Sequence, residues 1–287
     1  MPTIPELLAQ GPTYSFEFYP PRTPEGDVQL ARTIKRLVPL SPSFVSVTYG
    51  AGGSSRERTA EIVHRLREVH DLPVLPHLTC VGHSRDEIAA LVREYEANGV
   101  QNLLALHGDP PADGPPLAEG DFRYAAELVD FLRNQNDFAL GVAAHTEGHP
   151  LATDLVSDRE HQSAKLTVAD FAITQFFFEV DHYTRFMSDM SDRGVSIPVI
   201  PGVIPVTNPD QTRRMVEMAG GTFPDALAQR LSEAETPAEG RAIGVEHAAN
   251  LVRQLIEAGA PGIHVYPMNR WQATTELFEA LGLATAD

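Results

Sequence analysis

Cysteine is nearly missing from this chain. Cys80 is the single one among 287 residues. No disulfide can form within the chain, and a reducing compartment fits. Basic residues are scarce too. Lys and Arg total 22 against 39 Asp and Glu, a formal net charge of −17. A surface this acidic repels nucleic acid and anionic lipid, which argues against both as partners. No apolar run approaches the roughly 18–20 residues of a membrane span. The opening MPTIPELLAQGPT has neither the basic start nor the apolar core of a signal peptide. The expectation is a soluble cytoplasmic protein. No G-x-G-x-x-G follows the first strand-like segment, no H-E-x-x-H occurs, and no low-complexity stretch or linker divides the chain. One domain spanning 1–287 is the simpler reading, and 43% hydrophobic residues suffice for a large core.

What the chain does contain is a regular alternation. YSFEFY (14–19) precedes a helical stretch over 24–38, and FVSVTY (44–49) precedes a helix starting near Ser54. PVLPHLTC (73–80) precedes 84–99, where Ser84 and Glu87 form a capping box and Ile88, Leu91, Val92 and Tyr95 share one face. QNLLAL (101–106), DFALGVAA (137–144), FAITQFFF (171–178), IPVIPGV (197–203) and GIHVYPM (262–268) each precede a further helical region. The longest of these regions runs from Pro209 to Ala258. Continuous apolar strands interleaved with amphipathic helices indicate a parallel sheet covered by helices. Eight such units in this length predict an α/β fold, a single-domain (β/α)8 TIM barrel. GDPPADGPPLAEGD (108–121) reads as a long loop.

In such a barrel the chemistry sits at the C-terminal ends of the strands. Unusual polar residues fall there on all eight: Glu17; Thr48 and Tyr49; His77 and Thr79; His107 and Asp109; His145, Glu147 and His149; Gln175; Asn208 and Gln211; Asn269 and Arg270. Taken singly, each has a bland reading. Glu17 is an ordinary salt-bridge partner, His77 a hydrogen-bonded core histidine, GAGGSS (50–55) a plain turn. Two chemistries fit the set. Metal-dependent hydrolysis would use His77, His107, Asp109, His145 and His149 as ligands. Against it, Gly148 and Pro150 break the helix that i,i+4 ligands need. The other is acid–base chemistry on an organic ligand. Glu17 stands between Phe16 and Phe18, and burial there would raise its pKa and keep it protonated as a donor.

The segments SFEFYPPRTPEG, FVSVTYGAGGSSRERT, PHLTCVG, NLLALHGDPP, GVAAHTEGHP, AITQFFF, IPVIPGVIPVTN and HVYPMNR resemble, in order and over nearly the whole chain, the bacterial 5,10-methylenetetrahydrofolate reductase family. The resemblance implies a flavoprotein barrel carrying FAD, with NADH or NADPH as co-substrate, in members that are usually homo-oligomers. It gives Glu17 the role of general acid toward N10 of methylenetetrahydrofolate, opening the five-membered ring to an iminium that accepts hydride. It makes Asp109 a second catalytic residue, which helps bind folate and tunes the flavin, and Gln175 a contact to both. Gln211, Met215 and Arg270 become substrate contacts. Thr48, His77, His107, Gly108, Ala143, His145, Asp158, His161 and Lys165 become FAD contacts.

The chain also departs from the family pattern. His107 and Ala164 stand where arginines are expected, His145 where an aromatic is common, His161 where an asparagine is common, and Met215 where a phenylalanine stacks on substrate. Each lost arginine removes a charge-assisted contact worth about 1.5–3 kcal/mol. This leaves open a variant in which FAD binds weakly or hydride comes directly from NAD(P)H.

Overall fold

The structure, a computed structural model, describes residues 1–49, 56–108, 120–135 and 137–283. Eight parallel strands close into a barrel in sequence order. They are β1 (Thr13–Phe18), β2 (Phe44–Val47), β3 (Val74–Thr79), β4 (Asn102–Leu106), β5 (Ala139–Ala144), β6 (Phe171–Phe176), β7 (Val199–Val203) and β8 (Gly262–Val265). The helices are α1 (Ile4–Leu8), α2 (Pro24–Leu37), α3 (Arg56–His70), α4 (Arg85–Ala97), α5 (Ala125–Arg133), α6 (Leu155–Thr167) and α7 (Val180–Asp192). They continue with α8 (Pro209–Ala219), α9 (Asp225–Ser232), α10 (Pro237–Glu257) and α11 (Gln272–Ala280). The eight units read from the sequence are the eight units of the barrel.

Two features differ from the sequence reading. The region 209–258 is three helices rather than one run. Gly220, left-handed at φ 72°, ends α8, and Pro237 in the first turn of α10 forces a fresh start. The short helix α1 went unread because five residues carry no usable period. It nonetheless has a complete capping box from Thr3 and Glu6. Ile4 of α1 seals the barrel floor. Its N–H donates to Asn102 Oδ1 at 2.7 Å, and its side chain joins Phe44, Leu75, Leu104, Phe171 and Ile200 in an apolar plug.

The larger core lies between the sheet and the helices, where Phe16 and Phe18 are wholly buried. Phe16 meets Phe278 of α11 with ring centroids 5.2 Å apart. Strand alternation therefore turns Ser15 and Glu17 to the opposite side, into the barrel. The lower interior is apolar and the upper interior polar, so the mouth is where chemistry is possible. Among the described residues no helix is long and apolar enough to cross a membrane.

Candidate active site at the barrel mouth

Glu17 projects into the barrel from β1, opposite Ser46 of β2 in the strand register. Three groups converge on its Oε2. His77 Nε2 lies 3.3 Å away, the Ser46 hydroxyl donates at 3.4 Å, and His264 Nε2 stands at 3.8 Å. About one fifth of the side chain is exposed. Burial pushes the Glu17 pKa up, but the polar and charge interactions with the neighbouring His264 and His77 push it further down, to about 2. The resting group is a carboxylate. This reverses the expectation of a raised pKa. That expectation counted Phe16 and Phe18 as surroundings, but both face the helices. The environment of Glu17 is histidine and serine.

Ser15, Ser46, His264 and Tyr266 belong to this cluster, and the sequence reading missed them all. Ser15, Ser46 and His264 are wholly buried. His264 Nδ1 lies 2.8 Å from Ser15 Oγ, and Nε2 lies 3.2 Å from Ser46 Oγ. Burial pushes the His264 pKa down, with the hydrogen bond and charge of Glu17 opposing. Tyr266 stands edge-on to His264 with centroids 5.1 Å apart, and its hydroxyl donates to Thr174 O at 2.8 Å. Gly202 makes room for it, since a Cβ there would lie 2.6 Å from the Tyr266 ring. The available signal was parity: Ser15 sits two residues before Glu17, and His264 two before Tyr266.

Gln211, Met215 and Arg270 come together in one cleft, which Tyr19 and Met268 also line. Asn208 caps α8 by accepting from the Gln211 N–H at 3.0 Å, and this sets the helix's first turn at the cleft. Met215 follows one turn later on the same face. Arg270 leaves a turn in which Met268 and Asn269 both adopt left-handed backbone, φ 54° and 53°. Gln175 instead lines an adjoining cleft with His145, Phe176 and Val216, and its Oε1 accepts from the Phe176 N–H at 3.0 Å.

The remaining candidates are spread around the rim. The carbonyl of Thr48 accepts from the Thr59 hydroxyl at 3.0 Å. Ala143 is half-buried on β5. Gly108 is left-handed at φ 84°, where a Cβ would lie 2.7 Å from Thr79. His107 is exposed, with Nδ1 2.7 Å from Gly108 O. Asp109 lies outside the described residues. Asp158 is buried and committed within its own helix region: it accepts from the His149 N–H, Gln162 Nε2 and Arg159 Nη1. His145 packs its ring on His149 at 4.7 Å, and burial first, then Lys165, hold its pKa down at about 3. His161 is exposed, with Nδ1 2.8 Å from Ser157 O. Burial lowers the Lys165 pKa to about 8. Among the described residues no three His, Cys, Asp or Glu side chains form a group that could hold a metal. The hydrolase reading thus gains no support from them.

The family model for methylenetetrahydrofolate reductase matches residues 3–282. The chain belongs to the methylenetetrahydrofolate reductase family. It is 37% identical over 272 residues to the 5,10-methylenetetrahydrofolate reductase of Salmonella typhimurium, covering 94% of this chain and 90% of that one. It is equally similar, over the same shares, to the Escherichia coli protein of that name. An Arabidopsis thaliana protein named methylenetetrahydrofolate reductase (NADH) 1 is 32% identical over 98% of this chain, which spans 50% of that protein. A Clostridium thermocellum protein, described as uncharacterised and binding two copies of 5-methyl-5,6,7,8-tetrahydrofolic acid, matches with TM-score 0.64 at 15% identity. It covers 97% of this chain and 96% of its own, and it shows the shared fold. This reductase is therefore an oxidoreductase of one-carbon folate chemistry that takes 5,10-methylenetetrahydrofolate to 5-methyltetrahydrofolate.

The reductase's fit to FAD can be tested on α6 and the loop before it. A diphosphate needs fixed positive charge or a row of N–H donors. The permanent cations from β5 through α6 are Arg159 and Lys165. Arg159 is buried and already engaged by Asp158, by Asp189 at 2.9 Å and by the carbonyls of His145 and Thr146. His145 is uncharged near neutral pH, and Ala164 offers nothing. One half-buried lysine remains. The undescribed segments 50–55 and 109–119 contain no Lys, Arg or His. These side chains do not match the charge of a flavin dinucleotide.

Proposed function

We propose that hydride reaches the methylene carbon from NADH or NADPH directly, with Glu17 protonating N10 of the folate. The carboxylate at the mouth supports the acid role, and the commitment of Arg159 on α6 to Asp158 and Asp189 supports direct transfer. Ser46 donates to Glu17 Oε2 at 3.4 Å, and His77 Nε2 and His264 Nε2 face the same oxygen at 3.3 and 3.8 Å. In the resting state Glu17 is ionised. A bound pterin would cover its exposed fraction, and burial, already the largest influence on it, acts to raise the pKa. The group then takes up the solvent proton that the reaction consumes. It passes this proton to N10, the C–N10 bond breaks, and the resulting iminium carbon accepts the hydride. Gln211 and Met215 would flank the pterin, and Arg270 would meet the folate's glutamate carboxylate as a two-pronged ion pair. Asp109 keeps the substrate contact that the resemblance gives it.

FAD as a weakly held carrier is the second reading. Its support is the resemblance and the position of Lys165. An absorbance spectrum of the purified protein after gel filtration separates the two. Colourless protein that turns over methylenetetrahydrofolate with NADH supports direct transfer. A flavin band that persists, with activity proportional to it, overturns direct transfer. The homo-oligomer implied by the resemblance draws support from Leu151, Leu155, Val156 and Met218, all exposed. Light scattering tests it, and a monomer at all working concentrations rejects it.

A further inference from the structure

Strands β6 and β7 fall out of step near the mouth. Ala172 and Ile173 pair with Val199 and Ile200, but Phe176 pairs with Gly202, so Thr174 and Gln175 together oppose Pro201. The extra residue on β6 makes a β-bulge. We propose that Tyr266 is a positioning residue, whose hydroxyl holds the Thr174 carbonyl within this bulge and so aims the Gln175 carboxamide, N–H donors outward, at the pterin. The inference rests on Gln175 as a pterin contact, a role that Gln175→Ala tests by itself.

The hydrogen bonds at the bulge support it. In the register of Ala172 with Val199, an unbroken parallel ladder would send the Gly202 N–H to the Thr174 carbonyl. That N–H instead donates to Thr174 Oγ1 at 2.9 Å, and the carbonyl accepts from the Tyr266 hydroxyl at 2.8 Å. Thr174 is wholly buried, so loss of the phenol would strip its carbonyl of that donor away from water. Tyr266 is held in turn. Its N–H donates to Val203 O at 2.9 Å, and its ring stands edge-on to Phe176 with centroids 5.9 Å apart. A side chain at position 202 would break the arrangement, since a Cβ there would lie 2.4 Å from Thr174 O.

Gln175 follows Thr174 directly, and its own bond fixes how the carboxamide is turned. Oε1 accepts from the Phe176 N–H at 3.0 Å. An amide nitrogen in that place would set donor against donor, so Nε2 takes the other side. The side chain lines the cleft shared with His145 and Val216. Its two Nε2 protons are left for an acceptor on the ligand, and a pterin ring offers a carbonyl oxygen and ring nitrogens. The ring of Tyr266 also stands edge-on to His264. The test therefore has to separate the hydroxyl from the ring.

A double-mutant cycle of Tyr266→Phe with Gln175→Ala in the whole protein tests this, reading kcat, the folate KM and the pH profile of kcat. Phenylalanine keeps the ring and removes only the hydroxyl. We expect Gln175→Ala to raise the folate KM about tenfold and Tyr266→Phe to raise it about three- to tenfold, with kcat within about threefold. In the Gln175→Ala background, Tyr266→Phe should add less than about twofold, because its effect runs through the missing carboxamide. The pH profile of Tyr266→Phe should match wild type. A wild-type folate KM in Tyr266→Phe overturns the proposal, as do effects that multiply in full in the double variant. A displaced pH profile overturns it too, since the hydroxyl would then be acting on Glu17. If Tyr266→Phe fails to fold, Thr174→Val, which removes the acceptor of the Gly202 N–H, takes its place in the cycle under the same criteria. A wild-type folate KM in Gln175→Ala rejects the contact role and this inference with it, and leaves the acid role of Glu17 and the hydride source standing.

Discussion

Asn269 closes on the backbone of Tyr19 from both sides. Its Nδ2 donates to Tyr19 O at 2.8 Å, and its Oδ1 accepts from Tyr19 N at 3.2 Å. This pair ties the end of β1 to the turn after β8, joining the two ends of the chain. The Asn269 carbonyl is held as well, by the Thr33 hydroxyl at 2.7 Å. The clamp keeps Met268 and Asn269 in left-handed backbone, a conformation that non-glycine residues hold only under tertiary constraint.

Arg270 follows directly from that turn. Arg270→Ala should raise the folate KM by about 10–100-fold, the equivalent of one lost charge-assisted pair. Arg270→Lys should recover part of this, because lysine keeps the charge but not the fork. Asn269→Ala should raise KM too, with the arginine intact but no longer aimed. Steady-state kinetics with varied folate check all three.

A second prediction concerns α10. Gly244 sits where an added Cβ would collide with the carbonyl of Val206, in the segment after β7 that borders the cleft of Gln211 and Arg270. Gly244→Ala should destabilise the protein by about 1–3 kcal/mol. Urea denaturation with an unchanged slope measures it.

His182 of α7 holds the loop after β5 through Glu147, with Nδ1 3.2 Å from Oε1. The hydrogen bond to Glu147 raises the His182 pKa above 6.5, burial opposes, and the Glu147 charge adds to the rise. A raised folded-state pKa gives stability that is complete below the unfolded value and lost as pH climbs through the folded value. His182→Asn should therefore cost about 1 kcal/mol at mildly acidic pH and nearly nothing well above the raised pKa. Thermal melts across that range should show the two proteins converging as pH increases.

The fold was legible because its signals are local and repeated. Each apolar strand ran into an amphipathic helix, and Ser84 with Glu87 marked one start outright. Much of the mouth was legible as well, since strand ends can be located without knowing the pairing. Gln211, Met215 and Arg270 meet in one cleft. The inner layer was not legible. Ser15, Ser46 and His264 are small or common residues inside strands, and only register brings them to one carboxylate. The sign of the Glu17 pKa shift was lost for the same reason. Its neighbours in sequence, Phe16 and Phe18, lie on the other face of the strand. Its neighbours in space come from β2, β3 and β8.

The protonated form of Glu17 is the hinge of the account, and Glu17→Gln tests it most directly. The variant keeps shape and hydrogen bonding but has no proton to give. The account predicts that methylenetetrahydrofolate reduction falls by about 10²–10⁴-fold, while equilibrium folate binding stays within a few-fold of wild type. Reduction at the wild-type rate, or equal loss of binding and turnover, would contradict it.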